Sequence, residues 1–350
     1  MMKTEETLIR VLQKQFILKI DDTYGSDAIE EFKFCVSQLK KLYKAIDISQ
    51  YESIMAFVGN YAEYQTSCKT MEMDNIHSVS TKRLIVEFVN EDTLNVVQDD
   101  YFDATALSEK TFVYRWTAND KQADRFYIKG ALHAFSDEET PSEGSFFAVR
   151  TYNDLDEALI NYRDNVALPC KGKYLSESMN KARLFFYPAP EESLQKALEE
   201  FLSYRLRHCT VKREHNVDES HPVDIIVTWQ GTSHIALIEI KWVGKSLNDK
   251  GEISVDYSDG RANKGAAQLV NYIDNNGDSY PHHVTVGYLA VFDLRRKENN
   301  DPCAEKISRV NANYYKEREI SYSPQYEAIR TDFKKPYRFF IKVNNNVYQD

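Results

Sequence analysis

Long hydrophobic runs are absent from this chain of 350 residues. No apolar stretch approaches the roughly eighteen residues that a membrane-spanning helix requires, so we expect no contact with a membrane. The opening stretch is interrupted by Arg10, Lys14 and Lys19 and has no small-residue cleavage site, which argues against a signal peptide and predicts an amphipathic helix. Together these features predict a cytoplasmic protein.

Cysteine is scarce, and its distribution argues against two kinds of site. No two cysteines form a CxxC pair, so we expect a reduced protein that has neither structural disulfides nor a cysteine-based zinc site. The chain contains five, at Cys35, Cys68, Cys170, Cys209 and Cys303.

The signals of two common enzyme classes are also missing. No serine or cysteine lies in a nucleophile elbow, and no glycine-rich loop is arranged to bind phosphate groups. The adjacent His282 and His283 would point to opposite faces of a strand, so they do not predict a shared metal site. These absences disfavour nucleophilic hydrolases and P-loop enzymes.

Positive charge is in the minority, since the net charge is −10, which at first disfavours a nucleic-acid partner. The distribution is uneven. Residues 201–300 carry 12 Lys and Arg against 13 Asp and Glu, whereas the remainder carries 32 against 41. Local basic clusters in this central part can contact phosphates, although each is equally compatible with a solvated surface.

The stretch from His221 to Trp242 combines hydrophobic pattern, turn residues and reactive side chains. Two β-branched and apolar runs, 223–229 and 234–242, flank a short Gln-Gly-Thr-Ser turn and predict a hairpin whose second strand is buried on both faces. Asp224 opens the first strand. Glu239 and Lys241 lie two residues apart on the second, so they share a face.

Buried charges of this kind need either mutual pairing or a bound cation. Two carboxylates are oxygen ligands suited to Mg²⁺, which keeps several waters and shares its coordination with substrate phosphate. A neighbouring lysine can hold the attacking water and offset charge that develops on phosphorus. The trio therefore predicts metal-dependent hydrolysis of a phosphodiester, with Asp224 and Glu239 as ligands and Lys241 as the assisting base or cation.

The arrangement of Asp224, Glu239, Ile240 and Lys241 resembles the motif of the PD-(D/E)xK nuclease superfamily, although Pro222 is separated from the aspartate by one residue. The resemblance implies a mixed sheet flanked by helices, a Mg²⁺ ion that Mn²⁺ can replace, and the Ile240 carbonyl as an additional metal ligand. It also implies a nucleic-acid substrate, most plausibly double-stranded DNA.

A second part of the resemblance lies in RANKGAAQLVNYIDNNG, from Arg261 to Gly277, where Gln268 and Tyr272 share one face of a predicted helix with Lys264. Gln-x-x-x-Tyr after the Glu-x-Lys strand resembles the RecB-like branch. That resemblance implies that Gln268 helps to orient the site and that Tyr272 and Lys264 face nucleic acid. Two further basic residues, Arg261 and Lys245, are candidate phosphate contacts.

A third part lies upstream, where PAPEESLQKALEEFLSYRLR predicts the first helix of the core. Relatives often carry a metal-site glutamate on this helix. Glu192 and Glu199 lie seven residues apart on one face, and we prefer Glu192 because it precedes the apolar pattern. An ordinary first-turn acid that the helix dipole favours is an equally good interpretation of Glu192. Some RecB-like exonucleases hold an iron-sulfur cluster with three cysteines after the core, but only Cys303 follows it here, so we expect no cluster.

The chain is long enough for two domains, and its patterns change near the middle. Residues 1–75 have helical periodicity, and residues 81–150 contain strand patterns that predict a small antiparallel sheet. Aromatic side chains on these strands are better explained as core than as base-stacking groups. We predict an α/β protein, α+β overall, with an N-terminal sensor, regulatory or recruitment domain over 1–170 and the nuclease domain over 171–350.

The functional hypothesis is a Mg²⁺-dependent endonuclease acting in bacterial phage defence or restriction, and a homodimer or higher oligomer is compatible with it. Two alternatives stay open at this point. The first is a nuclease fold that has lost catalysis and serves as a nucleic-acid-binding or assembly subunit. The second is an N-terminal domain that gates a nuclease, which stays inactive until a ligand triggers it.

Overall fold

A computed structural model describes residues 16–59, 68–97, 103–118, 120, 124–134, 145, 147–148, 151–216, 222–279 and 282–349. The chain divides into two compact units, Met1–Arg150 and Thr151–Asp350. Helices and sheets occur in both, so the predicted mixed α and β class is confirmed. The division precedes the boundary expected near Lys171, because the helix Tyr152–Tyr162 packs into the core of the second unit.

The first unit is built on one seven-stranded sheet with a long helix. Residues 16–24 are also helical, whereas the part of the predicted first helix before residue 16 lies outside the described residues. The elements are α1 (Ser26–Ala45), β1 (Ser53–Val58), β2 (Cys68–Glu72), β3 (Arg83–Phe88), β4 (Thr93–Val97), α2 (Ala104–Ser108), β5 (Val113–Thr117), β6 (Arg125–Ile128) and β7 (Ala131–Ala134), with short 3₁₀ helices at Ile48–Gln50 and Met73–Ser78.

Two sequence expectations for this unit are wrong. The sheet, in the order β2-β4-β3-β1-β5-β6-β7, is mixed rather than antiparallel, because β1 and β3 run parallel. The helical structure expected over residues 1–75 is wrong for Ser53–Val58, which forms the strand β1. Its continuous apolar run suits a strand that is buried on both faces: Ile54 and Ala56 enter one hydrophobic cluster, and Met55 and Phe57 enter the other.

The aromatic side chains of the sheet are core residues, as predicted. Phe112, Tyr114, Trp116 and Phe126 are at most 3% exposed, and each packs in the cluster beneath α1. Tyr127 is 8% exposed and lies on the opposite face. Rings buried in this way have no free face on which a base could stack, so the base-stacking alternative is excluded for the four beneath α1.

The second unit contains a six-stranded sheet between helices. Its elements are α3 (Tyr152–Tyr162), which continues as a π-helical turn at Arg163–Ala167, α4 (Lys173–Glu177), α5 (Glu191–Arg205), β8 (Cys209–Asn216), β9 (Pro222–Trp229), β10 (His234–Leu247), β11 (Ile253–Tyr257), α6 (Asp259–Ser279), β12 (Val284–Asp293), β13 (Ile307–Ser308), α7 (Arg309–Asn313), α8 (Tyr326–Ile329), β14 (Tyr337–Phe340), a 3₁₀ turn at Asn345–Val347, and β15 (Tyr348–Gln349).

The predicted hairpin is confirmed. Strands β9 and β10 form an antiparallel hairpin, and β12 returns parallel to β10 after the helix α6. The path of the sheet is β14-β12-β10-β9-β8, with β11 paired to β10. All but one of the residues of β10 are buried, as its unbroken apolar pattern predicted.

Helices cover both faces of this sheet. Leu155 and Leu159 of α3 and Leu194 and Leu198 of α5 pack into one cluster with the sheet. On the other face, α6 packs into a second cluster through side chains such as Leu269. None of the helices in the described ranges is long and apolar enough to cross a membrane.

A buried ion-pair network fixes the carboxyl end of β12. Asp293 is fully buried and accepts hydrogen bonds from Arg295 (2.7 Å) and from Arg338 (2.7 Å) on β14. Arg295 also pairs with Asp259 at the start of α6. Burial alone would raise the pKa of Asp293, but the two arginines hold it below its usual value. One carboxylate thus connects two strands and a helix.

We predict that Asp293→Asn lowers the free energy of unfolding by about 3 kcal/mol or more, because two largely buried guanidinium groups lose the carboxylate that they share. Urea denaturation measures the change. Asp249→Asn, at an exposed turn position, removes the same charge and should leave stability within about 0.5 kcal/mol of wild type. Equal effects of the two substitutions would contradict the role assigned to Asp293.

Candidate active site

The site forms where the ladder between β9 and β10 ends. The last paired residues are Ile225 and Ile238. Beyond this pair, the Asp224 side chain takes the place of the β9 backbone as the hydrogen-bond partner of β10. Asp224 Oδ2 accepts a hydrogen bond from the Ile240 N–H at 2.6 Å. In a strand, the N–H and C=O groups of one residue point to the same edge, so the Ile240 carbonyl is directed toward the edge where Asp224 lies.

Glu239 and Lys241 lie on the same face of β10, as predicted. The Lys241 ammonium forms an ion pair with Glu239 Oε1, and the two side chains are only 9% and 1% exposed. Glu239 Oε2 is buried and accepts no hydrogen bond within the described structure. A buried carboxylate oxygen of this kind retains the capacity to bind a further cation or proton.

The electrostatics reflect the proximity of the two acids. Burial, followed by the negative charge of Asp224, raises the pKa of Glu239 to about 8 despite the opposing effect of Lys241. Burial also raises the pKa of Asp224, against the hydrogen bond from Ile240 and the charge of Lys241. A metal-free site therefore holds a proton on the pair near neutral pH, which is the behaviour of two carboxyl groups that share one space.

The helix residue that contacts the site is a glutamine that sequence analysis missed. Gln195 of α5 is 7% exposed and donates through Nε2 to Asp224 Oδ1 at 2.6 Å. One turn earlier, Glu191 contributes to the raised pKa of Asp224. A polar residue among Leu194 and Leu198 on the inner face, four residues after an acid, was the available signal.

The two predicted glutamates lie elsewhere. Glu192 is ion-paired with Lys196, and its side chain is 67% exposed, so the structure does not bring it to the carboxylates. Glu199 pairs with Arg213 of β8 at 2.6 Å. Helical geometry explains the error, because positions 192 and 199 share a face that is rotated away from positions 191 and 195.

Helix α6 approaches the site closely enough to require a glycine. A Cβ atom on Gly265 would lie 2.5 Å from Cγ and 3.1 Å from Cε of Lys241. The aliphatic stem of Lys241 therefore occupies the space that any larger residue would need. This contact fixes the position of the ammonium group, which sequence analysis did not foresee.

Gln268 and Tyr272 contact each other and the start of β9. Gln268 Nε2 donates to the Tyr272 hydroxyl, which in turn donates to the Pro222 carbonyl at 3.3 Å. The pair therefore braces the start of β9, two residues before Asp224. Tyr272 is 2% exposed, so the expectation that it faces nucleic acid is wrong: its ring is part of the core beneath α6.

The three predicted basic contacts differ in their availability. Lys264 is exposed on α6. Arg261 already pairs with Glu191 at 2.7 Å and stacks over the Tyr257 ring, 4.8 Å from its centroid. Lys245 donates to the Asn299 carbonyl at 2.9 Å and to the Asn300 side chain at 2.6 Å. Only Lys264 of these three presents its charge to solvent without a partner in the described structure.

The residues fit a magnesium ion that retains most of its water. No group of three or more His, Cys, Asp and Glu side chains converges on a common point in the described part of the chain. Two adjacent carboxylates, one with an oxygen that lacks a partner, and a carbonyl at the same edge remain as donors. Mg²⁺ commonly binds through one or two carboxylates and fills the remaining positions with water and phosphate oxygens.

Comparison with known proteins gives no independent identification. No family model, curated protein or solved structure matches this chain. The chemistry of the site must therefore be judged from its own residues.

Because the two acids lie close together, the stability of the metal-free protein should depend on pH. Because the folded-state pKa of Glu239, about 8, exceeds the value of about 4.3 in an unfolded chain, the folded form binds the extra proton. Wild-type stability should therefore fall as pH rises from about 5 to about 8. Glutamine at position 239 does not ionise. In EDTA, the free energy of unfolding of Glu239→Gln minus that of wild type should therefore increase by roughly 1–3 kcal/mol over that pH interval.

The measurement is urea denaturation at pH 5, 6.5, 8 and 9. Glu200→Gln, at an exposed position on α5, serves as the control and should show a constant difference from wild type. A constant difference for Glu239→Gln as well would show that the carboxyl is not raised above its ordinary range.

The close approach of α6 predicts an unusual response to Gly→Ala substitution. Ala normally stabilises a helix by up to about 1 kcal/mol relative to Gly. Gly260→Ala and Gly277→Ala, where nothing lies within 4 Å, should be neutral or stabilising. Gly265→Ala should instead lower the free energy of unfolding by about 1–3 kcal/mol, because the methyl group collides with Lys241.

Urea denaturation of the three variants tests this expectation. Stabilisation by Gly265→Ala equal to that of the two controls would contradict the packing of Lys241 against α6. A crystal structure of the variant should show the ammonium displaced from Glu239.

Proposed function

We propose that the second unit is a Mg²⁺-dependent nuclease that hydrolyses phosphodiester bonds of DNA. The observation that carries this proposal is the close approach of the half-buried Asp224 to the buried Glu239 at the end of the β9–β10 ladder, with Lys241 ion-paired beside them. Desolvated acids with raised pKa values are costly to stability and are concentrated at functional sites, which supports a catalytic role for this cluster.

In this proposal Asp224, Glu239 and the Ile240 carbonyl hold the metal. When bound, Mg²⁺ supplies Lewis-acid chemistry: it lowers the pKa of a coordinated water and offsets charge on the phosphate. The Ile240 N–H and Gln195 keep the Asp224 carboxylate in a fixed orientation, because each donates to a different oxygen. Pre-orientation by such partners is what metal ligands commonly require.

Lys241 has two roles in the proposed reaction. Its ammonium hydrogen-bonds the attacking water and holds it near the scissile phosphorus. It also stabilises the additional negative charge of the transition state, which is effective because the site is largely shielded from solvent. The contact with Gly265 restricts the stem of Lys241 and thereby reduces the entropy lost when the ammonium is positioned.

The substrate contact on α6 is proposed for Lys264, whose charge is exposed and uncommitted. Arg261 would bind a phosphate only by giving up its ion pair with Glu191. It would then exchange one anionic partner for another. Restriction to DNA, and a part in phage defence or restriction, stay predictions because they rest on the resemblance of the motifs alone.

The experiment that tests the proposal combines cleavage with metal binding. Wild type, Asp224→Asn and Lys241→Met are incubated with supercoiled plasmid, linear duplex, single-stranded DNA and RNA, in Mg²⁺, Mn²⁺ or EDTA. We expect metal-dependent cleavage of plasmid by wild type and a loss of roughly 100-fold or more in both variants. Glu192→Gln, outside the cluster, should cleave as wild type does.

Calorimetric titration with Mn²⁺ distinguishes a site that binds metal without catalysing cleavage from a site that binds no metal. Wild type and Lys241→Met should bind the ion, whereas Asp224→Asn should bind it at least about tenfold more weakly. Metal binding without cleavage of any of the four substrates would favour the catalytically silent or ligand-gated alternatives. Absence of both metal binding and cleavage would refute the nuclease proposal.

A further inference from the structure

The two faces of the N-terminal sheet are covered unequally. One face carries α1 and its large aromatic cluster. The opposite face is covered in the described structure by α2, a helix of only five residues. Beside α2 the sheet surface opens into a pocket of about 380 Å³, which lies entirely within this unit. Pockets that bind small ligands have volumes of roughly 300–1,000 Å³, so this one suits a compact molecule.

Two exposed arginines line this pocket from the strands on either side of β1. Arg83 of β3 lies opposite Ser53 in the register, and Arg115 of β5 lies opposite Met55. Since Ser53 and Met55 are two apart, both arginines project from the same face of the sheet. Their strands are separated by about 10 Å, or two strand spacings, so both can reach one ligand.

Arg83 and Arg115 differ in their pairing from a neighbouring arginine of the same sheet. No ion pair or hydrogen bond of either guanidinium to another residue occurs within the described structure. The neighbouring Arg125 of β6, by contrast, pairs with Asp120 at 2.7 Å. Two like charges that converge on one pocket repel each other, and an anionic group between them would relieve that repulsion.

Two acids, Glu52 and Asp103, also line the pocket, and neither forms an ion pair with the arginines within the described residues. Asp103 caps α2, where its Oδ1 accepts hydrogen bonds from the N–H groups of Thr105 (2.9 Å) and Ala106 (3.3 Å). Glu52 is exposed at the end of β1 that carries Ser53. A ligand that fills the pocket would therefore need hydrogen-bond donors as well as an anionic group.

The floor between these polar groups is apolar. Met55, Ile85 and Tyr127 are 8%, 7% and 8% exposed and belong to the cluster on this face. Each therefore presents a small area to the pocket rather than being sealed beneath α2. A flat or apolar body can lie on this floor while its anionic end reaches the arginines.

We propose that this pocket binds a nucleoside 5′-monophosphate. The phosphate lies between Arg83 and Arg115, the base contacts Met55, Ile85 and Tyr127, and sugar hydroxyl groups donate to Glu52 or Asp103. The proposal is independent of the nuclease proposal, because it concerns the first unit alone and requires no metal ion.

Isothermal titration of the full chain with AMP, UMP, adenosine and inorganic phosphate tests the proposal. All titrations contain EDTA, so that phosphate cannot bind through a metal in the second unit. We expect one molecule of AMP or UMP per chain, with adenosine and inorganic phosphate each at least about tenfold weaker, because each lacks one half of the contacts. Arg83→Gln and Arg115→Gln should each weaken AMP binding at least about tenfold.

Lys41→Gln is the matched control, since it removes a positive charge from α1 on the opposite face, where Lys41 contacts Asp92. This variant should bind AMP as wild type does. Because Arg83 and Arg115 are exposed, their variants should unfold at wild-type temperatures, which circular dichroism verifies. The proposal is overturned by absence of AMP and UMP binding, by binding that survives both arginine substitutions, or by equal affinity for AMP and inorganic phosphate.

Discussion

The packing of Asp224 against Glu239 is the constraint on which the second unit depends. Two carboxyl groups in one buried space repel each other, and the structure limits this repulsion with donors from three directions. The Ile240 N–H and Gln195 donate to Asp224, and Lys241 pairs with Glu239. Each donor belongs to an element whose position is otherwise fixed by hydrophobic packing, so the core determines the electrostatics of the site.

The helices on either side contribute in different ways. Helix α5 is held against the sheet by Leu194 and Leu198, and this packing brings Gln195 to the aspartate. Helix α6 approaches so closely that Gly265 leaves room only for the stem of Lys241. A reactive group held by close packing has few alternative conformations, and this is the property that catalysis at a fixed phosphate would exploit.

In the described residues of the first unit, helices leave one face of the sheet partly open. Alternation along β1 divides its side chains between two clusters, and the cluster beneath α1 takes the large aromatic rings. Among the described residues, the short helix α2 covers part of the other face, and the arginines of β3 and β5 lie beside an accessible apolar floor. Uneven coverage of a sheet is therefore enough to create a site with both charge and apolar surface.

The sequence by itself determined the central strands, the two main helices of the second unit and the trio of Asp224, Glu239 and Lys241. Local periodicity sets these features, because a two-residue spacing on a strand dictates a shared face and an apolar run dictates burial. It also predicted that the aromatic side chains of the first sheet are core residues. The sequence did not predict that this sheet is mixed. Strand direction depends on the connection between β1 and β3 rather than on the composition of either strand.

Only the tertiary structure decided which helix face reaches the carboxylates and which basic residues stay free. Glu192 and Gln195 are three residues apart, and the rotation of α5 about its axis, which packing sets, sends one to solvent and the other to Asp224. Packing also decided the position of Tyr272. Its place in the motif suggested a surface role, but its ring is part of the core beneath α6. Arg261 and Lys245 were expected to be free to contact phosphate, but each binds a partner, 70 and 55 residues away in the chain respectively. No local pattern can reveal contacts over such separations.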